Sequence, residues 1–234
     1  MHAMTTARTP LKIEKHRQHL DLLIRFALGL TFALAAGAYI KGAYSSWVSI
    51  DFSDPQPHQI GHALSVFAIG LYTLMIACLY ALRLPARNKF AGIGPSAAAI
   101  LGGFLMSGLL FFSPREDLPT WALITAAVLV VIGNFFTVYI LIHLGRSFSI
   151  LPEGRRLVTH GPYAIVRHPL YLAEAVAALG ALINFLSPWA FALVAVQLSL
   201  QIVRIHYEEK VLKENFEEYE AYAKKTWRLI PGIY

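Results

Sequence analysis

What most constrains this chain is a succession of apolar stretches long enough to cross a bilayer as helices. A hydrocarbon core of about 30 Å takes roughly 20 consecutive apolar residues in helical form. Residues 22–40, 60–82, 96–113 and 118–142 meet that demand with few or no charges. Arg25 and His62 fall near the ends of their stretches, where a polar tip reaches the headgroups. The small residues of 96–113 suit close helix packing. Residues 169–205 are too long for one crossing, and Ser187-Pro188 near their centre predicts a turn with proline opening a new helix. Two short spans, 170–186 and 188–206, result. The expected fold is all-α: a polytopic membrane bundle of about six crossings, the last two forming a hairpin.

Composition agrees. Only 15% of the 234 residues are charged and 56% are hydrophobic, whereas soluble domains carry about 25% charge. The net charge of +6 is spread between apolar runs rather than gathered on one face, which argues for a membrane surface and against nucleic acid. The single cysteine, Cys78, excludes an intramolecular disulfide and a thiolate metal cluster. The basic N-terminal segment precedes an apolar run with no small-residue cleavage site, so the run is read as a retained first span. With the N-terminus inside and six crossings, every basic residue outside the spans lies on the inner side except Lys41 and Arg115. Five crossings would send the basic tail outward. Both termini are thus expected in the cytoplasm, on the inner membrane of a bacterium or the endoplasmic reticulum of a eukaryote. The chain reads as one domain over 1–234, with N-terminal spans in 1–143 and the chemistry in 144–234.

That chemistry gathers in two segments of the inner face. The first, THGPYAIVRHPLYLAE (159–174), packs histidine, arginine, tyrosine and proline between apolar runs. Pro162 and Pro169 keep Gly161 and His168 out of helical conformation, so the segment is a shaped loop leading into a helix that starts near Pro169. Free N–H groups at that start, with Arg167 and His168, suit a carboxylate or phosphate. Tyr163 and Tyr171 offer aromatic faces, and tyrosines also serve as interface anchors. The second segment is the tail, 204–234. Arg204 and Glu208 share a helix face, and Tyr207, Val211, Phe216, Tyr219, Tyr222 and Trp227 recur at helical spacing, predicting an amphipathic helix that Pro231-Gly232 ends. Glu217, Glu218 and Glu220 read as its solvated face. A carboxylate seat, aromatic faces and an anion together suit S-adenosylmethionine, and a nucleotide such as NADPH nearly as well.

At these residues the chain resembles the isoprenylcysteine carboxyl methyltransferase family and related phospholipid N-methyltransferases. The matching elements are LGRSFS (144–149), RLVTHGPYAIVRHPLY (156–171), and RxxxEE (204–209) followed by EYEAYAKKTWRLIP. They fill roughly the C-terminal 40% of the chain, and the first three spans carry no such signature. The resemblance implies a cytoplasmic S-adenosylmethionine pocket, closed by the tail and open sideways to lipid. By position it implies that Arg155, Arg156, Leu157, Val158, Tyr163, His168, Pro169, Leu170 and Tyr171 line the cofactor. Glu208 would hold the cofactor from the tail, and Arg204 would face the methyl acceptor. The implied reaction moves a methyl group to a lipophilic acceptor entering from the bilayer, most like isoprenylcysteine carboxyl O-methylation, with a phospholipid or other lipid amine or thiol as the alternative. No metal and no obligate protein partner are implied.

Glu174 departs from the family pattern, standing where many relatives have a small residue. It is expected either to pair with Arg167 or another cation, or to contact the acceptor. A carboxylate acceptor needs no base. An amine does, and Glu174, Glu209 and His206 are then the candidates. Asn134, Asn184, Gln197 and Gln201 are expected to make hydrogen bonds between helices. Two other classes fit less of the pattern: an NADPH-dependent membrane reductase, and a transporter or small channel.

Overall fold

A computed structural model of the chain describes residues 9–84, 92–115, 117–151 and 155–234. Among these, seven α-helices follow one another: α1 (Thr9–Val48), α2 (Pro57–Leu82), α3 (Ile93–Phe104), α4 (Thr120–Leu144), α5 (Pro169–Phe185), α6 (Pro188–Asn215) and the short α7 (Tyr219–Ala223). Four of them hold stretches long and apolar enough to cross a membrane: 21–48 in α1, α2, α4 (to residue 147) and α6. The apolar helices over 94–109 and 169–185 are shorter. Large apolar side chains stay exposed along the long helices, Phe26, Leu34, Phe136 and Val203 among them. Such a surface is stable against lipid and not against water. The chain is an integral membrane protein with an all-helical fold.

Proline marks the helix starts. Pro57, Pro169 and Pro188 each occupy the first turn, where a missing N–H costs nothing. Between α5 and α6, Leu186 takes the left-handed conformation with φ 33 and closes α5. Ser187 then caps α6 by accepting from the Ala190 N–H at 3.1 Å. The expected hairpin is therefore present.

Small residues set the packing. α1 packs on α2, α2 on α4, α4 on α5, and α3 on α6. A Cβ added at Gly133 would lie 2.6 Å from the Ala177 nitrogen, and one at Gly180 would lie 2.7 Å from the Ala126 carbonyl oxygen. Numbers fall in α5 as they rise in α4, so the two helices are antiparallel with their backbones in near contact. Gly102 beside Arg204 and Gly108 beside Leu193 likewise set α3 and the segment after it antiparallel to α6. The C-terminal ends of α2, α4 and α6 and the N-terminal end of α5 consequently meet at one end of the bundle. There Arg146 and Leu84 tie α2 to α4: Arg146 donates to the Leu82 carbonyl at 2.8 Å, and the Leu84 N–H donates to the Arg146 carbonyl at 2.9 Å. Of the basic residues expected on that side, Arg8, Arg87 and Lys89 lie outside the described residues.

Three expectations need correction. The third apolar stretch is not one α-helix, since α3 gives way after Phe104 to a 3₁₀ turn over Leu105–Phe111. Gly102, Gly103 and Gly108 weaken its helical preference where it presses on α6. The tail is not one amphipathic helix either. α6 runs through residue 206 to Asn215, α7 has five residues, and Trp227 pairs as an isolated β-bridge with Val166. Asn134 donates to Val130 of its own helix at 2.8 Å rather than across helices. Gln197 does reach another helix, at the Gly102 carbonyl, 2.9 Å away.

The α4–α5 contact makes a stability prediction. Gly180→Val forces two backbones apart and is expected to cost roughly 1–3 kcal/mol or more, read as a lower melting temperature in detergent. Gly37→Ala, where an added Cβ meets nothing within 4 Å, is expected to leave it unchanged or slightly raised.

Candidate active site

The loop between α4 and α5 forms one wall of a cleft at this end of the bundle. Gly161 has φ +61, and a Cβ there would fall 2.2 Å from His143, so only glycine admits this turn. The turn carries Tyr163 inward, where it is buried. His168 then caps α5 from outside the helix, as the Pro169 rule requires.

The tail is fastened to this loop by backbone and by charge. The Trp227 N–H donates to Ile165 at 3.0 Å, while the Arg167 and His168 N–H groups donate to the carbonyls of Trp227 and Arg228 at 2.8 and 3.1 Å. The Arg167 guanidinium donates to the carbonyls of Ala223 and Thr226 at 2.7 and 2.5 Å and to Glu209 at 2.8 Å. It thereby takes carbonyls at the end of α7 that a longer helix would use. Tyr222 adds a bond from its hydroxyl to the Tyr163 carbonyl at 2.7 Å. Burial holds the Tyr163 and Tyr219 phenols above their ordinary range and pushes Tyr222 up to about 12, so all three stay protonated at neutral pH.

Glu209 joins these parts. It lies 2.8 Å from Arg167, 2.8 Å from Arg228 and 3.3 Å from His168. With three partners it is a structural anion, which removes it as a candidate base. His206 is exposed and bonded to the Ile202 carbonyl at 2.7 Å, so it too stands aside.

Glu208, the next residue, faces the cleft instead. It accepts the Tyr171 hydroxyl and lies 3.8 Å from His168. Arg204, one turn earlier, sits over the Tyr171 ring at 4.9 Å and is 7% exposed. Its Nε is buried with no hydrogen-bond partner among the described residues. A buried guanidinium left so is costly, and its place on the cleft wall marks where a ligand acceptor atom would sit.

The cleft opens outward and is lined by apolar side chains with a few polar groups among them, the character of a small-molecule site. Of the residues named from the sequence, Arg156, Leu157, Val158, Tyr163, His168, Leu170, Tyr171, Arg204 and Glu208 line it. Arg155 does not. It is buried and turned to Asp21 of α1 at 3.7 Å, next to Arg83 at 2.6 Å from the same carboxylate. Pro169 is buried in the first turn of α5, outside the lining. Glu174 is also outside it. Its partners are Tyr72 of α2 at 3.3 Å and Gln201 of α6 at 3.2 Å, and Arg167 is engaged elsewhere. Sequence reasoning named neither Tyr72 as a partner nor Phe148, Leu212 and Tyr219 as lining residues. The LGRSFS motif was the available signal for Phe148 and the aromatic spacing of the tail for Tyr219.

Residues 121–219, which carry every residue lining the cleft except Tyr222, match the family model described as phospholipid methyltransferase. The chain is 36% identical over 115 residues to a probable protein-S-isoprenylcysteine O-methyltransferase of Oryza sativa subsp. indica, a match covering 45% of this chain and 59% of that protein. Protein-S-isoprenylcysteine O-methyltransferase B of Arabidopsis thaliana is 29% identical over 194 residues, 78% of this chain and 98% of the relative. Cobalt-zinc-cadmium resistance protein CzcN of Cupriavidus metallidurans is 33% identical over 136 residues, 56% of this chain and 60% of the relative. The family's methyl donor is S-adenosylmethionine and its acceptors are lipophilic.

The fastening of the tail gives a second prediction. Arg167→Leu removes one partner of a largely buried ion pair and is expected to cost about 3 kcal/mol. Hydrogen exchange should then rise first in residues 219–228, while α4 and α5 keep their protection.

Proposed function

We propose that this chain transfers a methyl group from S-adenosylmethionine to a lipophilic acceptor at one face of the membrane. The observation that carries the reading is the convergence of two distant segments, 156–171 and 204–212, on a single cleft. The residues present suit the cofactor. Glu208 supplies an anion for its α-ammonium group, with Tyr171 and His168 holding the carboxylate in place. Apolar Leu157, Val158, Leu170 and Leu212, with the ring of Tyr222, give an adenine surface to rest on. When bound, S-adenosylmethionine supplies an electrophilic methyl group on a sulfonium.

The protein's own part is positioning and exclusion of water. Arg204 turns its buried Nε and guanidinium toward the acceptor. Tyr171, packed beneath that guanidinium, keeps it from folding back. The tail covers the cleft from the aqueous side, so the acceptor's route is from lipid. The basic residues gathered at this end of the bundle support a cytoplasmic position by the positive-inside rule, and one membrane domain over residues 1–234 is part of the proposal. Relatives named for isoprenylcysteine O-methylation support methyl transfer, and a relative that carries a metal-resistance name instead gives no ground for carrying over a single acceptor.

Calorimetry on the purified protein in lipid nanodiscs tests this. Wild type is expected to bind S-adenosylmethionine, and Glu208→Ala and His168→Ala are each expected to weaken binding at least about tenfold, roughly 1.4 kcal/mol. Unchanged affinity in both variants would reject the assignment of the cleft.

A further inference from the structure

Beneath the cofactor cleft the site carries a second carboxylate. Glu174 lies one helical turn below Tyr171 on α5, deeper in the apolar slab than Glu208. Its two oxygens accept from the Tyr72 hydroxyl and the Gln201 amide. Both donors are neutral, so they hold the carboxylate without cancelling its charge. Along α6, Arg204 stands between Gln201, which donates to Glu174, and Glu208, which accepts the Tyr171 hydroxyl. Three charges thus stand in order along the α5–α6 seam: Glu208, Arg204, Glu174.

We propose that Glu174 selects the acceptor: the molecule methylated here presents an uncharged, proton-bearing nucleophile, a thiol or an amine, and Glu174 receives its proton. The inference rests on the methyl-transfer reading above. With Glu208 engaged by the cofactor's ammonium, Arg204 and Glu174 leave the acceptor region without net charge. A carboxylate acceptor would gain Arg204 there but meet Glu174 as a like charge in a low-dielectric setting. An uncharged nucleophile meets no such repulsion. It does need an outlet for its proton, and among the described residues Glu174 is the carboxylate left for it, since Glu209 is engaged by three partners and His206 is exposed on the helix surface. As the acceptor's lone pair forms the bond to the methyl carbon, the carbon–sulfur pair returns to sulfur and the acceptor's proton passes to a Glu174 oxygen. The sulfonium's positive charge and the carboxylate's negative charge disappear together, and no other reactant is needed.

The test uses the full chain in nanodiscs and three probes of equal length: dodecanethiol, dodecylamine and dodecanoate. Methyl transfer from labelled S-adenosylmethionine is one readout, and calorimetric binding of each probe to cofactor-free protein is the other. Wild type is expected to methylate the thiol or the amine in preference to dodecanoate. Glu174→Gln is expected to keep cofactor affinity, lower that turnover about 100-fold or more, and bind dodecanoate about tenfold tighter. Glu174→Asp, which keeps the charge, should recover part of the turnover and none of the dodecanoate gain. Preference of wild type for dodecanoate would overturn the proposal, as would a Glu174→Gln protein with unchanged turnover and unchanged dodecanoate binding. If Glu174→Gln fails to fold, the wild-type preference and the Glu174→Asp pattern decide by the same criteria. Absence of S-adenosylmethionine binding in wild type would instead overturn the methyl-transfer reading itself.

Discussion

Glu209 is the interaction on which the site depends. One carboxylate at the end of α6 gathers Arg167 from the loop, His168 from the threshold of α5 and Arg228 from the tail. Arg167 and His168 adjoin in sequence, and both lie far along the chain from Glu209 and Arg228. Without this anion, two guanidinium groups would stand beside one another at a partly buried position, and mutual repulsion would separate the tail from the loop. The neighbouring Glu208 is then free for a ligand because Glu209 has taken the structural cations. Adjacent residues on one helix thus divide the labour, one anion binding the protein to itself and the other left facing the cleft.

Below the site, helix packing follows membrane logic. Lipid tails give apolar helices no incentive to associate, so contact comes from close approach and from buried polar pairs. Gly133 and Gly180 bring α4 and α5 together, and Gln197 reaches the Gly102 carbonyl to hold α3 on α6. The same seam places Arg204 beside Gly102 at 3.1 Å. The room in which the guanidinium turns is therefore set by a residue with no side chain.

Much of this was legible in the residues. Prolines at 57, 169 and 188 disclose helix starts because their chemistry is local, and the apolar lengths disclose the spans because hydrocarbon thickness is a fixed ruler. The pairing of RHPLY with a distant RxxxEE disclosed which segments meet. What stayed hidden was decided by partners far away in sequence. Arg155 turns from the cleft because Asp21 of α1 attracts it, and Glu174 finds Tyr72 across about a hundred residues. The tail's aromatic spacing predicted helix, but Arg167 claimed the carbonyls that would have continued it. Periodicity reports which face is apolar and not whether the helix survives competition for its hydrogen bonds.

The β-bridge between Val166 and Trp227 has a bearing on how the protein is made. Membrane insertion proceeds helix by helix from the N-terminal side, and the bundle through α6 contains everything needed to settle in the bilayer. The roof over the cleft comes from residues translated afterwards. A transmembrane body complete through α6 therefore differs from a ligand-competent one by the docking of residues 216–234 onto the loop before α5.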